Sequence, residues 1–265
     1  MRITRSFYET RFGTHHIREA GSGATVVLLH QTADSSREFL KIIPALSRSY
    51  RVIAIDTLGY GDSSPSTTEL DVEGYSHSKI ALLNSMGIED FFILGNHTGA
   101  TLAVDLAYRM ERRVRGVIAN GLALWDKEEK DRLWKLLYKP IEIAEDGSHL
   151  IKFWEKAKYS SELPKEIIHR GCVDCLKADD FLAAYRAIFD YDLKPALTKL
   201  ECPLLVVTGE HDPMTRYSDE VAKLTNFGSS CTVKNAKFHL ADLHTDKYLK
   251  IIFDFLSKSA NKSYD

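Results

Sequence analysis

Five strand-length apolar runs recur along this 265-residue chain, and the way each is punctuated limits what the chain can fold into. ATVVLLH (24–30), RVIAID (51–56), FFILG (91–95), RVRGVIAN (113–120) and PLLVVTG (203–209) each end in Gly, Asp, His or Asn, as a strand does where it feeds a loop. SSCTVKNA (229–236) is a weaker candidate. Amphipathic stretches lie between them. SREFLKIIPALSRS (36–49) has Ser36 as N-cap with Glu38 behind it, and YSHSKIALLNSMG (75–87) stops at a glycine. TGATLAVDLAYRME (98–111) is rich in small residues, and HTDKYLKIIFDFLSKS (244–259) is the last of the series. Strands this apolar have no polar face to turn to water, so helices must cover both sides of the sheet. The expected class is α/β, a mostly parallel central sheet with helices on both faces.

One block interrupts the alternation. From Trp125 to about Leu197 no strand is evident, and the stretches there all read as helices. The block holds all three tryptophans, and strand-length runs resume after it, so it reads as an inserted helical cap over 125–197, with 1–124 and 198–265 forming the core. Trp125, Trp134, Trp154 and Phe153 are candidates to line a pocket beneath it, which implies a partly apolar substrate of modest size.

Composition excludes some partners. A net charge of −2 disfavours nucleic acid and anionic membranes, which want a cationic surface. No apolar stretch has transmembrane length and MRITRSFYET lacks the apolar centre of a secretory signal, so a cytoplasmic location is expected. Cys172 and Cys175 form a CxxC with no second pair and no strand leading into it, which reads as helix packing, and Cys202 and Cys231 read as buried thiols near strands. His15, His16, His77, His149 and His169 are expected on the surface or on helices, and DKEEKDR (126–132) as a solvated helix face.

The chemistry converges on FFILGNHTGATLAVDLA (91–107), which reads as a buried strand, a tight glycine-bounded turn and a helix, with His97 at the tip. With the loop sequences below, it resembles the α/β-hydrolase family with a helical cap, over nearly the whole chain. GNHTG (95–99) stands where that family has Gly-x-nucleophile-x-Gly, with His97 in place of the usual Ser, Asp or Cys. The resemblance implies a tip with positive φ, a conformation in which histidine is one of the enriched non-glycine residues. LLHQTADSS (28–36) resembles the oxyanion loop, with Gln31 in place of the usual Gly. The backbone amides of Thr32 and Thr98 would be the oxyanion donors, with His30 and Gln31 nearby. IDTLGYGDSS (55–64) matches a family stretch that shapes a pocket wall. GEHDPM (209–214) puts Asp212 in the place of the acid, and KFHLADLH (237–244) puts His239 in the place of the base. Asp126 competes for the first role and His244 for the second.

Several chemistries follow for His97. It could attack a carbonyl and form an acyl-imidazole, with His239, oriented by Asp212, activating water. It could instead form an acid–base pair with His239, titrating as a coupled unit. His97, His239 and Asp212 also make a metal-ligand set, but there is no HExxH or other local ligand pair, and neither a metal nor an organic cofactor is expected. The favoured expectation is hydrolysis of an ester, thioester, lactone or related carbonyl compound by His97, Asp212 and His239. The alternatives are a cofactor-free lyase or isomerase, and a catalytically silent small-molecule-binding protein.

Overall fold

The computed structural model describes residues 2–137, 139–158 and 163–260. The chain runs β1 (Thr4–Thr10), β2 (Gly13–Ala20), β3 (Thr25–Leu29), α1 (Ile43–Leu46), β4 (Arg51–Ile55), α2 (Val72–Ser85), β5 (Phe91–Asn96), α3 (Thr98–Met110) and β6 (Val114–Asn120). Among the described residues four helices follow without a strand: α4 (Lys127–Leu137), α5 (Ser148–Ala157), α6 (Lys165–Lys177) and α7 (Ala183–Asp190). Then come α8 (Lys194–Thr198), β7 (Leu204–Gly209), α9 (Ser218–Lys223), β8 (Gly228–Val233), α10 (Leu240–Leu243) and α11 (Thr245–Ala260).

The eight strands form one sheet in the order β1-β2-β4-β3-β5-β6-β7-β8. β2 is antiparallel to both β1 and β4, and all other pairs are parallel. Successive side chains of a strand face opposite sides, and here both sides are core. Val27, Leu29, Ile53 and Ile93 pack with α2 and α3 on one face, while Val26, Leu28, Val52 and Leu94 pack with α1 and α11 on the other. This is why the central strands read as unbroken apolar runs. Phe153 of α5, Cys172 of α6 and Phe181 and Leu182 ahead of α7 form a small cluster of their own, while α7 and α8 pack against α3 in the main core. No helix among the described residues is long and apolar enough to cross a membrane.

The structure corrects several local expectations. The N-terminal hairpin β1–β2 was not legible as strands. It puts His15 and His16 at full burial rather than on the surface, because β2 lies between β1 and β4. His16 Nε2 accepts from Arg5 Nε at 3.1 Å, so its Nδ1–H is left for Asp56 Oδ2 at 2.7 Å. The segment 36–49 is a 3₁₀ turn (Ser36–Phe39) followed by the single turn α1, and the cap is Ser35, whose Oγ accepts from Arg37 N. Ser36 N donates instead to Asp56 Oδ1 at 2.6 Å. All four cysteines are free: Cys172 and Cys175 lie on α6, Cys202 is buried, and Cys231 is only half-buried in β8.

Candidate active site

β5 leads directly into α3 through His97, which has φ 47° and ψ −107°. Among the described residues, three non-glycine residues have φ in the left-handed region above about +20°, and two of them are His97 and His239 (the third is Asn235). Such backbone strain persists where surrounding structure over-determines it. Here the His97 amide donates to Asn120 O on β6 at 2.7 Å, and the first turn of α3 bonds back to His97 O. A Cβ on Gly95 would overlap the backbone of Gly99, and one on Gly99 would overlap the carbonyls of Leu29 and His30. Both glycines are therefore needed for strand and helix to meet this closely.

The imidazole of His97 lies against Gly121, where a Cβ would come within 2.6–2.8 Å of three ring atoms. That direction carries Nε2 to 3.5 Å from Asp212 Oδ2, and about a fifth of the side chain remains open to the cavity. Asp212 follows β7 and is buried. Its Oδ1 accepts from Met214 N at 2.8 Å, which leaves Oδ2 to face His97. Asp212 thus stands behind His97, whereas the expectation was that it would orient His239.

His239 lies just before α10, buried, with φ 57°. Burial lowers its pKa, partly opposed by the charges of Asp34 and Asp242. Its Nδ1 is 4.0 Å from Asp242 Oδ2, and a ring nitrogen shares a space within 4.8 Å with carboxylate oxygens of Asp34 and Glu38. Glu38 Oε1 accepts from Asn96 Nδ2 at 2.6 Å, and Oε2 accepts from Gln31 N at 3.0 Å. Asn96 Oδ1 in turn accepts from Asn120 and from Tyr248. Burial first, then the nearby Asp34 charge, pushes Glu38 up to about 8.

The expected oxyanion donors are arranged differently. The backbone N–H of Thr32 donates to Thr98 Oγ1 at 2.7 Å, that hydroxyl donates on to Thr32 Oγ1 at 2.9 Å, and Tyr185 OH donates to Thr32 O. The amide that should point at an oxyanion is already satisfied by a side chain. Above it lies a cavity of about 560 Å³ between the sheet and the helices α4–α7. One end is polar, with Gln31, Thr32, Asp34, His97, Thr98 and His239. The rest is walled mostly by apolar side chains, among them Trp125, Phe153, Ile167, Phe181 and Phe189, with Lys156, Tyr185 and Lys237 between them.

A family model described as the alpha/beta hydrolase fold matches residues 24–245. The chain belongs to the α/β-hydrolase family. Among curated relatives, a proline iminopeptidase of Heyndrickxia coagulans is 23% identical over 276 aligned residues, covering 90% of this chain and 92% of that protein. An (E)-2-((N-methylformamido)methylene)succinate hydrolase of Acinetobacter baylyi is 23% identical, covering 91% and 93%. A solved E-2-(acetamidomethylene)succinate hydrolase superposes with a TM-score of 0.82 at 20% identity, covering 97% of this chain and all of that one. The same architecture therefore carries hydrolases among its relatives.

Within this α/β-hydrolase the expected residues fall into three groups. His97, His239, Gln31, Thr32, Thr98 and Trp125 line the cavity, and Asp212 supports it from behind His97. His30 does not line it. The ring bridges loops, with Nε2 accepting from Thr57 N at 3.0 Å and Nδ1 at 2.8 Å from Gln31 O. Trp154 packs in the cluster around Phe153 and is not among the lining residues, and Trp134 packs against Phe189. Asp126 is an exposed cap of α4, accepting from Glu129 N, and His244 lies outside the cavity lining. Among the described residues, the groups close enough to share an ion are His16–Asp56–Asp62 and Asp34–Glu38–His239, so the set His97–His239–Asp212 is not one of them. Sequence reasoning passed over Asp34, Glu38, Gly121 and Tyr185. Asp34 alone had a local signal, an acid two residues beyond the expected donor Thr32.

Proposed function

We propose that this α/β-hydrolase cleaves a small carbonyl compound with an apolar arm, by general-base attack of water in which His97 and Asp212 act as the base. The observation that carries this reading is the 3.5 Å approach of Asp212 Oδ2 to Nε2 of the elbow imidazole. A carboxylate there favours the tautomer with hydrogen on Nε2, so Nδ1 is the basic nitrogen. Nδ1 neighbours the ring carbon that bears the side chain, a crowded position for forming an acyl bond but an adequate one for taking a proton from water. The water oxygen bonds to the carbonyl carbon, its proton passes to Nδ1, and Asp212 stabilises the imidazolium. The tetrahedral intermediate then expels the leaving group, which takes up a proton. The apolar walls given by Phe153, Phe181 and Trp125 suit an acyl chain or aromatic arm.

A panel of chromogenic acyl esters, thioesters and lactones tests this. His97→Ala should lower kcat/KM by about 10²–10⁴-fold, with partial recovery on adding free imidazole. Turnover indifferent to His97→Ala would remove the reading, and an acyl group retained on His97 in intact-protein mass spectra would replace general-base attack with nucleophilic attack. A second reading, binding without turnover, is favoured by the Thr32 amide being taken up by Thr98. It requires that no substrate of the panel be turned over.

A further inference from the structure

We propose that His239 is served by Asp34 and Glu38 rather than by Asp212, and that these three groups form a proton store on the wall of the cavity. Oxygens of both carboxylates and a ring nitrogen of His239 lie within 4.8 Å of one another, and all three residues are buried. Both carboxylates are anchored. Gln31 Nε2 donates to Asp34 Oδ2 at 2.8 Å, and Glu38 is gripped by Asn96 and the Gln31 amide. Burial and a second carboxylate close by both oppose ionisation, so the cluster keeps a proton on Glu38 at neutral pH. The upward displacement of Glu38 has the same cause.

Other charged groups also bear on His239. Asp242 approaches it from α10, Arg170 from α6 and His97 from the elbow. Arg170 is committed to Asp242 through two hydrogen bonds of 3.0 and 2.6 Å, so these two largely cancel at the ring. Asp34 and Glu38, from the loop and 3₁₀ turn after β3, are the two carboxyl groups that share one space with the ring, and of the nearby charges Asp34 acts on it most.

The catalytic consequence rests on the His97 reading above, but the charge state does not. A leaving group takes the hydrogen from one nitrogen of His239, and the other nitrogen takes the hydrogen held by the carboxylate pair. The ring ends neutral in its other tautomer and Glu38 ends transiently ionised, a state that its burial disfavours. The proton that His97 took from water restores the pair by exchange through solvent in the cavity. His97 thus receives a proton on one side of the substrate while His239 supplies one on the other.

Titration of the histidine Cε1–H signals by NMR tests the assignment without any substrate. Asp34→Asn should lower the His239 midpoint by about one pH unit, since an opposite charge at this range shifts a group by roughly 1–3 units. Asp212→Asn should leave the His239 midpoint in place. A His239 midpoint that follows Asp212→Asn, or ignores Asp34→Asn, overturns the proposal. Should Asp34→Asn fail to fold, infrared spectra of the whole protein at pH 7 decide. The protonated-carboxyl band should be present in the wild type and lost in Glu38→Gln, and its absence from the wild type overturns the proton store. A dead His97→Ala with these signatures absent refutes this proposal alone, and the reverse result refutes the His97 base alone.

Discussion

The floor and the roof of the cavity are built on opposite plans. The floor is formed by the carboxyl ends of the parallel strands, where nearly every polar group is tied to another. Glu38 bonds Asn96, Asn96 bonds Asn120 and Tyr248, Thr32 bonds Thr98, and Asp212 bonds Met214 N. The roof on α4–α7 meets the cavity with aromatic packing, such as Phe153 with Phe181 at 5.5 Å and Trp125 with Phe189 at 4.8 Å, and is tied to the floor at a few points, among them Arg170 to Asp242 and Ser35 to Asp174. It leaves Leu136, Ile143 and Ile151 well exposed. A cross-linked floor holds its polar side chains in fixed positions, whereas aromatic walls held by packing adapt more readily where no polar tie reaches them. On the function proposed above, reaction type would belong to the sheet and substrate choice to α4–α7.

If the floor depends on its buried polar ties, the largest effect should come from cutting one outside the cavity. Asp56 accepts from His16 Nδ1, from Ser36 N at 2.6 Å and from Asp62 N at 2.8 Å, and so fixes the loops after β3 and β4. Burial alone would raise its pKa, but these hydrogen bonds prevail and hold it well below the usual carboxylate range. A depressed carboxylate stabilises the fold above its unfolded value of about 3.9, and that contribution is lost as pH falls toward the folded value. Asp56→Asn should therefore cost about 3–5 kcal/mol at pH 7 in denaturant unfolding and flatten the acid limb of the stability profile. A cost below about 1 kcal/mol would show the floor to be less tightly tied than the contrast requires.

Truncations on the two sides sharpen the same contrast. Leu94 is fully buried in β5, and Leu94→Ala should cost about 2–5 kcal/mol. Phe153→Ala in the cap should cost less globally, yet raise KM for a long-chain ester by about tenfold with little change in kcat. A fall in kcat as large as the rise in KM would mean that the roof also positions the reacting groups.

How much of this could be read in the sequence follows the same division. The core strands and the elbow were legible because their signals are local: an apolar run, two glycines and a small-residue helix lie within 17 residues. The edge hairpin was not, since TRSFYET is mostly solvated and its partner GTHHIREA hides two buried histidines in a polar-looking string. The placement of His97, His239 and Asp212 around one end of the sheet was anticipated from motif order, but their pairing was not. Which carboxylate faces which ring depends on side-chain reach: an imidazole at the elbow extends into the space where a second imidazole would otherwise meet Asp212. The role of Asp34 and Glu38 arises from a loop meeting α10 across some 200 residues of chain, and no local pattern encodes that contact. The lining of the roof comes from four helices and was legible only as a list of aromatic candidates, of which Trp125 and Phe153 line the cavity and Trp154 does not.

The smallest expected effect is the most diagnostic, because it asks whether the floor is ready for acyl chemistry or closed to it. Thr98 Oγ1 occupies the Thr32 amide, so an oxyanion at that position would meet a donor already spent. Thr98→Val keeps the shape of the side chain and its branched Cβ while removing the acceptor. The variant frees the Thr32 amide and leaves the Thr98 amide at the start of α3, where the first N–H groups of a helix have no partner within it. A single oxyanion donor contributes about 10²–10³ in kcat where the rest of the site is fully arranged around it. Here the gain in ester turnover should be smaller, about 3- to 30-fold, because the substrate must still settle against a floor shaped without that donor. The loss of two hydroxyl hydrogen bonds should cost about 1–2 kcal/mol of stability, read by thermal unfolding. A gain of this size would show that the hydroxyl restrains an intact oxyanion hole. A loss of turnover instead would mean that the Thr98 hydroxyl itself contacts the substrate, and the polar end of the cavity would then recognise its ligand through side chains rather than backbone amides.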